Sequence, residues 1–198
     1  MFTGIIHHQG FFKGYLTAKK ELIVEVLSSF PALEIGESVA VDGVCLSLLR
    51  REGRTLTFHL SQETLAKTSF QLLRGGEKLN LELPLTLQAP LSGHLVSGHI
   101  DGLGRVLKVV ARPPGRRATI SFPRQLQPYF VPKGSVAVNG VSLTIADIRP
   151  ASFDVELIPL TVAKSNLQDL KPGGTVNLEC DIVGKYVYNW VSRGKNRS

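Results

Sequence analysis

The sequence predicts an all-β chain made of two tandem, similar six-stranded barrels with short helices. The first observation behind this is an internal repeat. Ser38 to Leu48 reads SVAVDGVCLSL and Ser135 to Ile145 reads SVAVNGVSLTI, identical at seven of eleven positions. At the same offset of 97, TLAKTSFQLLRGGEKLNLE from Thr64 matches TVAKSNLQDLKPGGTVNLE from Thr161 without a gap. FTGIIHHQG from Phe2 aligns with VSGHIDGLG from Val96 at an offset of 94, so the halves begin near residues 1 and 94. Two copies of this length are a duplicated domain rather than a solenoid. The expected units are 1–92, 93–185 and a tail, 186–198. The second observation is that each copy consists of short runs of period two. The third is their number: six short strands in one open sheet would expose edges and leave one face wet, whereas closure gives each copy an interior.

The strands follow in order. In the first copy LIVEVL at 22–27, VAVDGVCLSLL at 39–49, TLTFHL at 55–60 and KLNLEL at 78–83 alternate apolar and polar residues. Their counterparts are RVLKVV at 105–110, ATISF at 118–122, SVAVNGVSLTI at 135–145, FDVELI at 153–158 and TVNLECDI at 175–182, separated by Gly, Pro and Asp signals. ETLAKTSFQLL and LTVAKSNLQDL are the helix candidates, with Thr64 and Thr161 read as either caps or ligand contacts and a Gly-rich exit behind each. YVYNWVSRG, from Tyr186, reads as a short docking helix whose partner is another copy or another subunit.

Composition bounds the function. The 198 residues carry 23 Lys plus Arg against 16 Asp plus Glu and are 43% hydrophobic, an ordinary globular balance. No apolar stretch reaches the roughly 18 residues of a membrane span, and the start lacks a signal-peptide pattern, so a cytoplasmic protein without a membrane partner is expected. Cys45 and Cys180 read as separate thiols, and the five histidines form no zinc-type spacing, so no metal is expected. The basic excess at 111–117 and in the tail has no accompanying aromatic ladder, which argues against nucleic acid.

The repeat itself is a functional statement, because two similar barrels with the same polar positions predict two similar small-molecule pockets. Ser38, Cys45 and Ser47 correspond to Ser135, Ser142 and Thr144. Residues two apart share a strand face, so Cys45 with Ser47, and Ser142 with Thr144, point the same way from equivalent places. Gly43 and Gly140 just before them permit a tight turn or the close approach of a ligand.

MFTGII, SVAVDGVCLSL, ETLAKT, GHLVSGHID, KGSVAVNGVSLT and VNLECD, in this order and across nearly the whole chain, closely resemble the riboflavin synthase family. The resemblance implies antiparallel Greek-key barrels, a C-terminal helix that helps form a homotrimer, and no metal or organic cofactor. It implies dismutation of two molecules of 6,7-dimethyl-8-ribityllumazine, which exchange a four-carbon unit to give riboflavin and 5-amino-6-ribitylamino-uracil. Lumazine synthase supplies that substrate in the family's pathway and sometimes assembles with the enzyme. Each substrate sits in one barrel, and reaction occurs where the N-terminal barrel of one subunit faces the C-terminal barrel of its neighbour.

Carried onto this sequence, the first pocket takes Gly4, Ile5 and Ile6, Ser38, Cys45, Leu46 and Ser47, and the run His59, Leu60, Ser61, Gln62, Glu63 and Thr64. The second takes Gly98, His99 and Ile100, Lys133, Ser142, Leu143 and Thr144, and the run Ile158, Pro159, Leu160, Thr161, Val162 and Ala163. One lumazine must lose a proton from its 7-methyl group while the other is attacked, so the copies are expected to diverge at the reacting centre. Cys45, Ser142, His99 and Asp181 are the candidate catalytic residues: His99 and Asp181 to move protons, Ser142 to orient or relay, and Cys45 as nucleophile or hydrogen-bonding contact. His94, five residues from His99, is placed on the opposite strand face and read as a structural or hydrogen-bonded residue rather than a second base. His7 and His8 stand where acids are usual in the family, Asn139 where Asp is common, Ser47 where Thr is usual, and Leu160 where a polar residue is common. A noncatalytic relative that binds lumazine or a flavin as an optical antenna is the alternative reading.

Overall fold

The computed structural model describes every residue except Thr17, Lys19, Ser28 and 196–198. Strands β1 (His8–Leu16), β2 (Glu21–Val26), β3 (Ser38–Val41), β4 (Val44–Glu52), β5 (Thr55–His59) and β6 (Lys78–Glu82) close a barrel in the order β1-β2-β5-β4-β3-β6. Strands β7 (Gly102–Arg112), β8 (Gly115–Ser121), β9 (Ser135–Val138), β10 (Val141–Arg149), β11 (Ser152–Leu157) and β12 (Thr175–Cys180) close a second in the equivalent cyclic order. All the pairings are antiparallel. The period-two runs face inward as expected: Leu22, Val24 and Val26 fill one barrel, and Ala118 and Ile120 the other.

The run at 39–49 is a hairpin rather than one strand. Asp42 and Gly43 at its tip adopt positive φ, 45° and 79°, as do Asn139 and Gly140 in the second copy, 45° and 77°. Asp-Gly and Asn-Gly favour a two-residue turn whose twist matches the strands it joins. Bulges recur as well, between Leu48 and Arg50 and between Ile145 and Asp147, bending the long strands around the barrel.

The helix candidates are shorter than expected. Helix α1 (Gln62–Lys67) and helix α2 (Pro159–Lys164) each stop where Thr68 or Ser165 turns extended and caps a following 3-10 turn. Thr64 is not the α1 cap: Ser61 is, accepting from the Thr64 amide. Thr161 is not the α2 cap either, because Pro159 at the helix start stands in place of a side-chain cap and Thr161 lies inside the helix. Helix α3 (Ile182–Lys195) begins four residues before the tail expected at 186. No described helix is long and apolar enough to cross a membrane.

The barrels exchange segments. Phe2 and Val96 pair through both amides, at 2.7 and 3.1 Å, and from this crossing each segment runs onto the other barrel. The Ser142 amide donates to the Gly4 carbonyl at 2.8 Å, and the Cys45 amide donates to the Gly98 carbonyl at 2.9 Å. Ile6 belongs to the core of the second barrel and Ile100 packs on the core of the first. A buried carboxylate pins each crossing: Glu82 accepts from the amide and hydroxyl of Thr3 and the amide of Gly4, and Glu179 accepts from the same groups of Ser97 and Gly98.

A polar joint fixes the barrels elsewhere. The tips of the two Gly hairpins touch, so that a Cβ on Gly43 would stand 2.6 Å from the Gly140 amide. Asn80 donates to the Asn139 carbonyl at 2.9 Å, and Asn177 donates to the Asp42 carbonyl at 3.0 Å, a reciprocal pair across the pseudo-twofold. Burial pushes the Asp42 carboxyl up to about 8, against hydrogen bonds from the Asn80 amide and the Asn166 side chain.

Candidate functional site

The segment exchange regroups the expected pockets. Gly4, Ile5 and Ile6 do not lie with Cys45; Gly4 sits on Ser142, where an added Cβ would stand 2.6 Å from the Ser142 Cβ. Gly98, with His99 and Ile100, sits instead on Cys45, where the equivalent distance is 2.5 Å. Both glycines have positive φ, 75° and 84°, so neither the backbone nor the space admits a side chain. Sequence alignment pairs the copies correctly but is blind to a crossing, because it preserves order along the chain and carries no information on which barrel a segment enters.

Within the first barrel, pairing of β3 with β4 sets Ser38 opposite Ser47 and Ala40 opposite Cys45. Cys45 is half-buried and packs against Phe2, Ala40, Val96 and Ala137. Ser47 is exposed, Leu46 is buried, and His59 to Glu63 run from the end of β5 into the start of α1 with all but Leu60 exposed. The second barrel repeats this with Ser135 opposite Thr144 and Ala137 opposite Ser142. Leu143 is buried, Thr144 and Lys133 are exposed, and Ile158, Pro159 and Leu160 form an exposed entry to α2 behind which Thr161 and Val162 are half-buried and Ala163 is exposed.

What differs is the group beside the β10 hydroxyl. His94 Nδ1 lies 2.7 Å from Ser142 Oγ, and His94 is only 8% exposed. Burial lowers its pKa and outweighs the opposing charge of Asp181, which favours the neutral ring. Its Nε2 is buried without a hydrogen-bond partner among the described residues. His94 is thus a hydrogen-bonded residue, as expected, but the opposite-face argument for it fails: residues 93–100 form a bridge and loops rather than a strand, so the period of two does not apply there. A neutral imidazole on a serine hydroxyl can hold or pass a proton, and its second nitrogen is free for a bound molecule.

The other candidates separate. His99 is exposed, and the hydrogen bond at this residue runs from its backbone amide to Ser97 Oγ. Asp181 starts α3, accepting from the Val183 amide at 3.0 Å, and its charge acts on His94. At the offset of 97 its counterpart is Pro84, so the first copy has no such cap. Cys180 is buried, and burial followed by the Asp101 charge pushes its thiol well above the ordinary range. Two grooves lie away from Cys45, Ser142 and His94. One of about 460 Å³ runs beside the packing of α3 on Tyr129 and is lined by Pro128, Ser135 and Asp181 among others, and one of about 770 Å³ lies at the polar joint.

The family model described as the lumazine binding domain matches twice, at residues 3–84 and 97–181. Riboflavin synthase of Actinobacillus pleuropneumoniae is 36% identical over 190 residues, covering 94% of this chain and 88% of that protein. The chain belongs to the riboflavin synthase family. Within that family, the enzyme of Bacillus subtilis (strain 168) is 31% identical over 195 residues, covering 98% and 91%. Among solved structures, LumP complexed with riboflavin superposes with a TM-score of 0.80 at 25% identity, over 91% of this chain and 99% of that one. LumP complexed with 6,7-dimethyl-8-(1'-D-ribityl) lumazine gives 0.79 at 24% identity, over 90% and 98%, a likeness of fold. The two family-model matches start at Thr3 and Ser97, the residues that Glu82 and Glu179 pin.

Proposed function

We propose that this member of the riboflavin synthase family dismutates two molecules of 6,7-dimethyl-8-ribityllumazine to riboflavin and 5-amino-6-ribitylamino-uracil. The observation that carries this is a pair of pseudo-equivalent sites with different chemistry, Cys45 under Gly98 and Ser142 under Gly4 with a buried neutral histidine. Two like molecules suit two like barrels, and the unlike side chains give the two molecules unlike fates. The reaction balances between the two lumazines alone, so it calls for no oxidant, reductant or cofactor.

The pockets in this reading are the regrouped ones. One lumazine lies by Gly98 to Ile100, Ser38, Cys45 to Ser47 and His59 to Thr64. The other lies by Gly4 to Ile6, Lys133, Ser142 to Thr144 and Ile158 to Ala163. As Ser142 Oγ takes the proton lost from the 7-methyl group of the lumazine it faces, it passes its own hydroxyl proton to His94 Nδ1, and the relay runs back when the product is protonated, while His94 Nε2–H orients the ring. The backbone amides of the crossing segments approach because Gly4 and Gly98 lack side chains. His99, exposed on its loop, reaches outward to the facing pocket of a neighbouring subunit, and Cys45 contacts the lumazine in its own barrel. Assembly as a homotrimer through α3 brings the two kinds of pocket together. Support comes from the exposed Tyr186, Val187 and Trp190 of α3, the last 82% exposed.

The test is to mix the flavin-free chain with the lumazine alone and separate the products. Equal amounts of riboflavin and the pyrimidine are expected. Tight binding with the lumazine unchanged would instead favour the optical-antenna reading.

A further inference from the structure

Asp101 occupies a junction that the repeat does not duplicate. It directly follows the Gly98–His99–Ile100 segment lying on Cys45. Its amide donates to the Leu178 carbonyl at 2.9 Å, and its Oδ2 accepts from the Cys180 amide at 2.7 Å and from Lys185 Nζ at 2.6 Å. Both side chains of this ion pair are about a quarter exposed, 21% and 26%, which shields it from solvent better than an open surface pair such as Lys67 with Glu63. Lys185 lies in the first turn of α3, where a cation opposes the helix dipole. Its placement there is accounted for by Asp101 rather than by the helix. Asp101 is also near the first barrel's own helix: Lys67 on α1 is held protonated chiefly by its hydrogen bond and charge pairing with Glu63, and further by Asp101.

The pseudo-equivalent position in the other crossing segment is His7, which is exposed and forms no ion pair among the described residues. The latch therefore serves only the segment over Cys45. We propose that Asp101 is a positioning residue that, through Lys185, ties the start of α3 to the segment covering Cys45 and so sets the first-barrel pocket from the C-terminal helix. The substrate side of this statement rests on the lumazine reading above, whereas the geometric side does not.

The experiment compares Asp101→Asn and Lys185→Met with Lys185→Arg. Asn keeps an acceptor for the Cys180 amide and loses the ion pair, Met keeps the stem of Lys185 without its charge, and Arg keeps the pair. Iodoacetamide labelling is followed at each thiol by peptide mass mapping, alongside KM, kcat, molecular mass and thermal melting. Loss of a partly shielded ion pair is expected to raise the Cys45 labelling rate about fivefold in Asp101→Asn and Lys185→Met. Cys180 should stay protected, KM for the lumazine should rise by a similar factor with kcat within about twofold, and Lys185→Arg should behave as the native chain. The double variant should be no worse than either single one. Unchanged Cys45 labelling in Lys185→Met would overturn the proposal. So would equal gains at Cys45 and Cys180 with a fall in melting temperature or mass, which would assign the pair to general stability or assembly. If the native chain leaves the lumazine unchanged while Cys45 labelling responds as stated, the functional reading fails and the latch stands.

Discussion

The two barrels share strand order, hairpin turns, bulges and buried carboxylate pins, yet Ser142 bonds to a buried histidine whereas the Cys45 sulfur has no hydrogen-bond partner among the described residues. The shared features are those that place a residue beneath a crossing glycine. The divergent ones are side chains that touch or tune that place: Ser142 for Cys45, His7 for Asp101, Asp181 for Pro84, Asn139 for Asp42. Duplication here has kept the frame and changed the chemistry hung on it. Variation at a handful of positions is enough, because backbone geometry rather than side chains builds each pocket.

The sharpest way to break this comparison is at the pair that has no counterpart. Ser142→Ala and His94→Ala are each expected to lower kcat by about 100- to 1000-fold, the range of a lost proton relay, with the double variant no worse than either. Because burial lowers the His94 pKa, the acid limb of the native pH profile should fall below 6.5, and it should vanish in His94→Ala. Steady-state kinetics across pH checks both, and equal losses in Cys45→Ala would show the barrels to be more alike than their geometry says.

Next come the crossings, which the structure makes equivalent. Gly4→Ala and Gly98→Ala should each cost about 2–4 kcal/mol, the sum of a left-handed backbone and an overpacked contact. Urea unfolding measures it. Markedly unequal costs would mean that one crossing gives way more easily than the other.

Asp42→Asn tests the joint. A buried acid whose folded pKa is raised to about 8 from 3.8 holds its proton more tightly when folded, so its contribution is full below 3.8 and is lost as pH rises through 8. The variant should flatten this decline and gain about 1–3 kcal/mol at pH 8 over the native chain, an estimate discounted for relaxation of the joint. Asn139 at the pseudo-equivalent turn already demonstrates that an amide fits. Thermal melting from pH 5 to 9 would show it.

The smallest effect concerns the helix starts. Ser61→Ala should cost about 1 kcal/mol, because it removes the side chain that caps α1. Thr161→Ala at α2 should cost less than half of that, since no side-chain hydroxyl caps that helix. Chemical denaturation of the two variants decides.

Much of this was legible in the residues. The offset between SVAVDGVCLSL and SVAVNGVSLTI marks the duplication, and period two marks the strands, because these signals are local. Local signals also left Thr64 divided between cap and ligand contact: a threonine near a helix start looks like a cap until the register places Ser61 ahead of it. The crossing of 2–6 and 96–100 was not legible, since it depends on which of two nearly identical barrels offers the seat. His94 was hidden for the same reason. Its partner Ser142 is brought to it only by tertiary structure, while the strand periodicity that set it aside does not govern a loop.

The exchanged segments also bear on how the molecule is made. The seat for Gly98 is complete early in synthesis, but the segment that fills it arrives only with the second repeat, and Gly4 waits for Ser142 still longer. During elongation on the ribosome the first barrel stays without the strand that closes over Cys45, exposing the apolar surface around Ala40 and Phe2. Each barrel has its own closed core, but the seats under Gly4 and Gly98 are filled only by contacts distant along the chain, the kind of contact that slows folding.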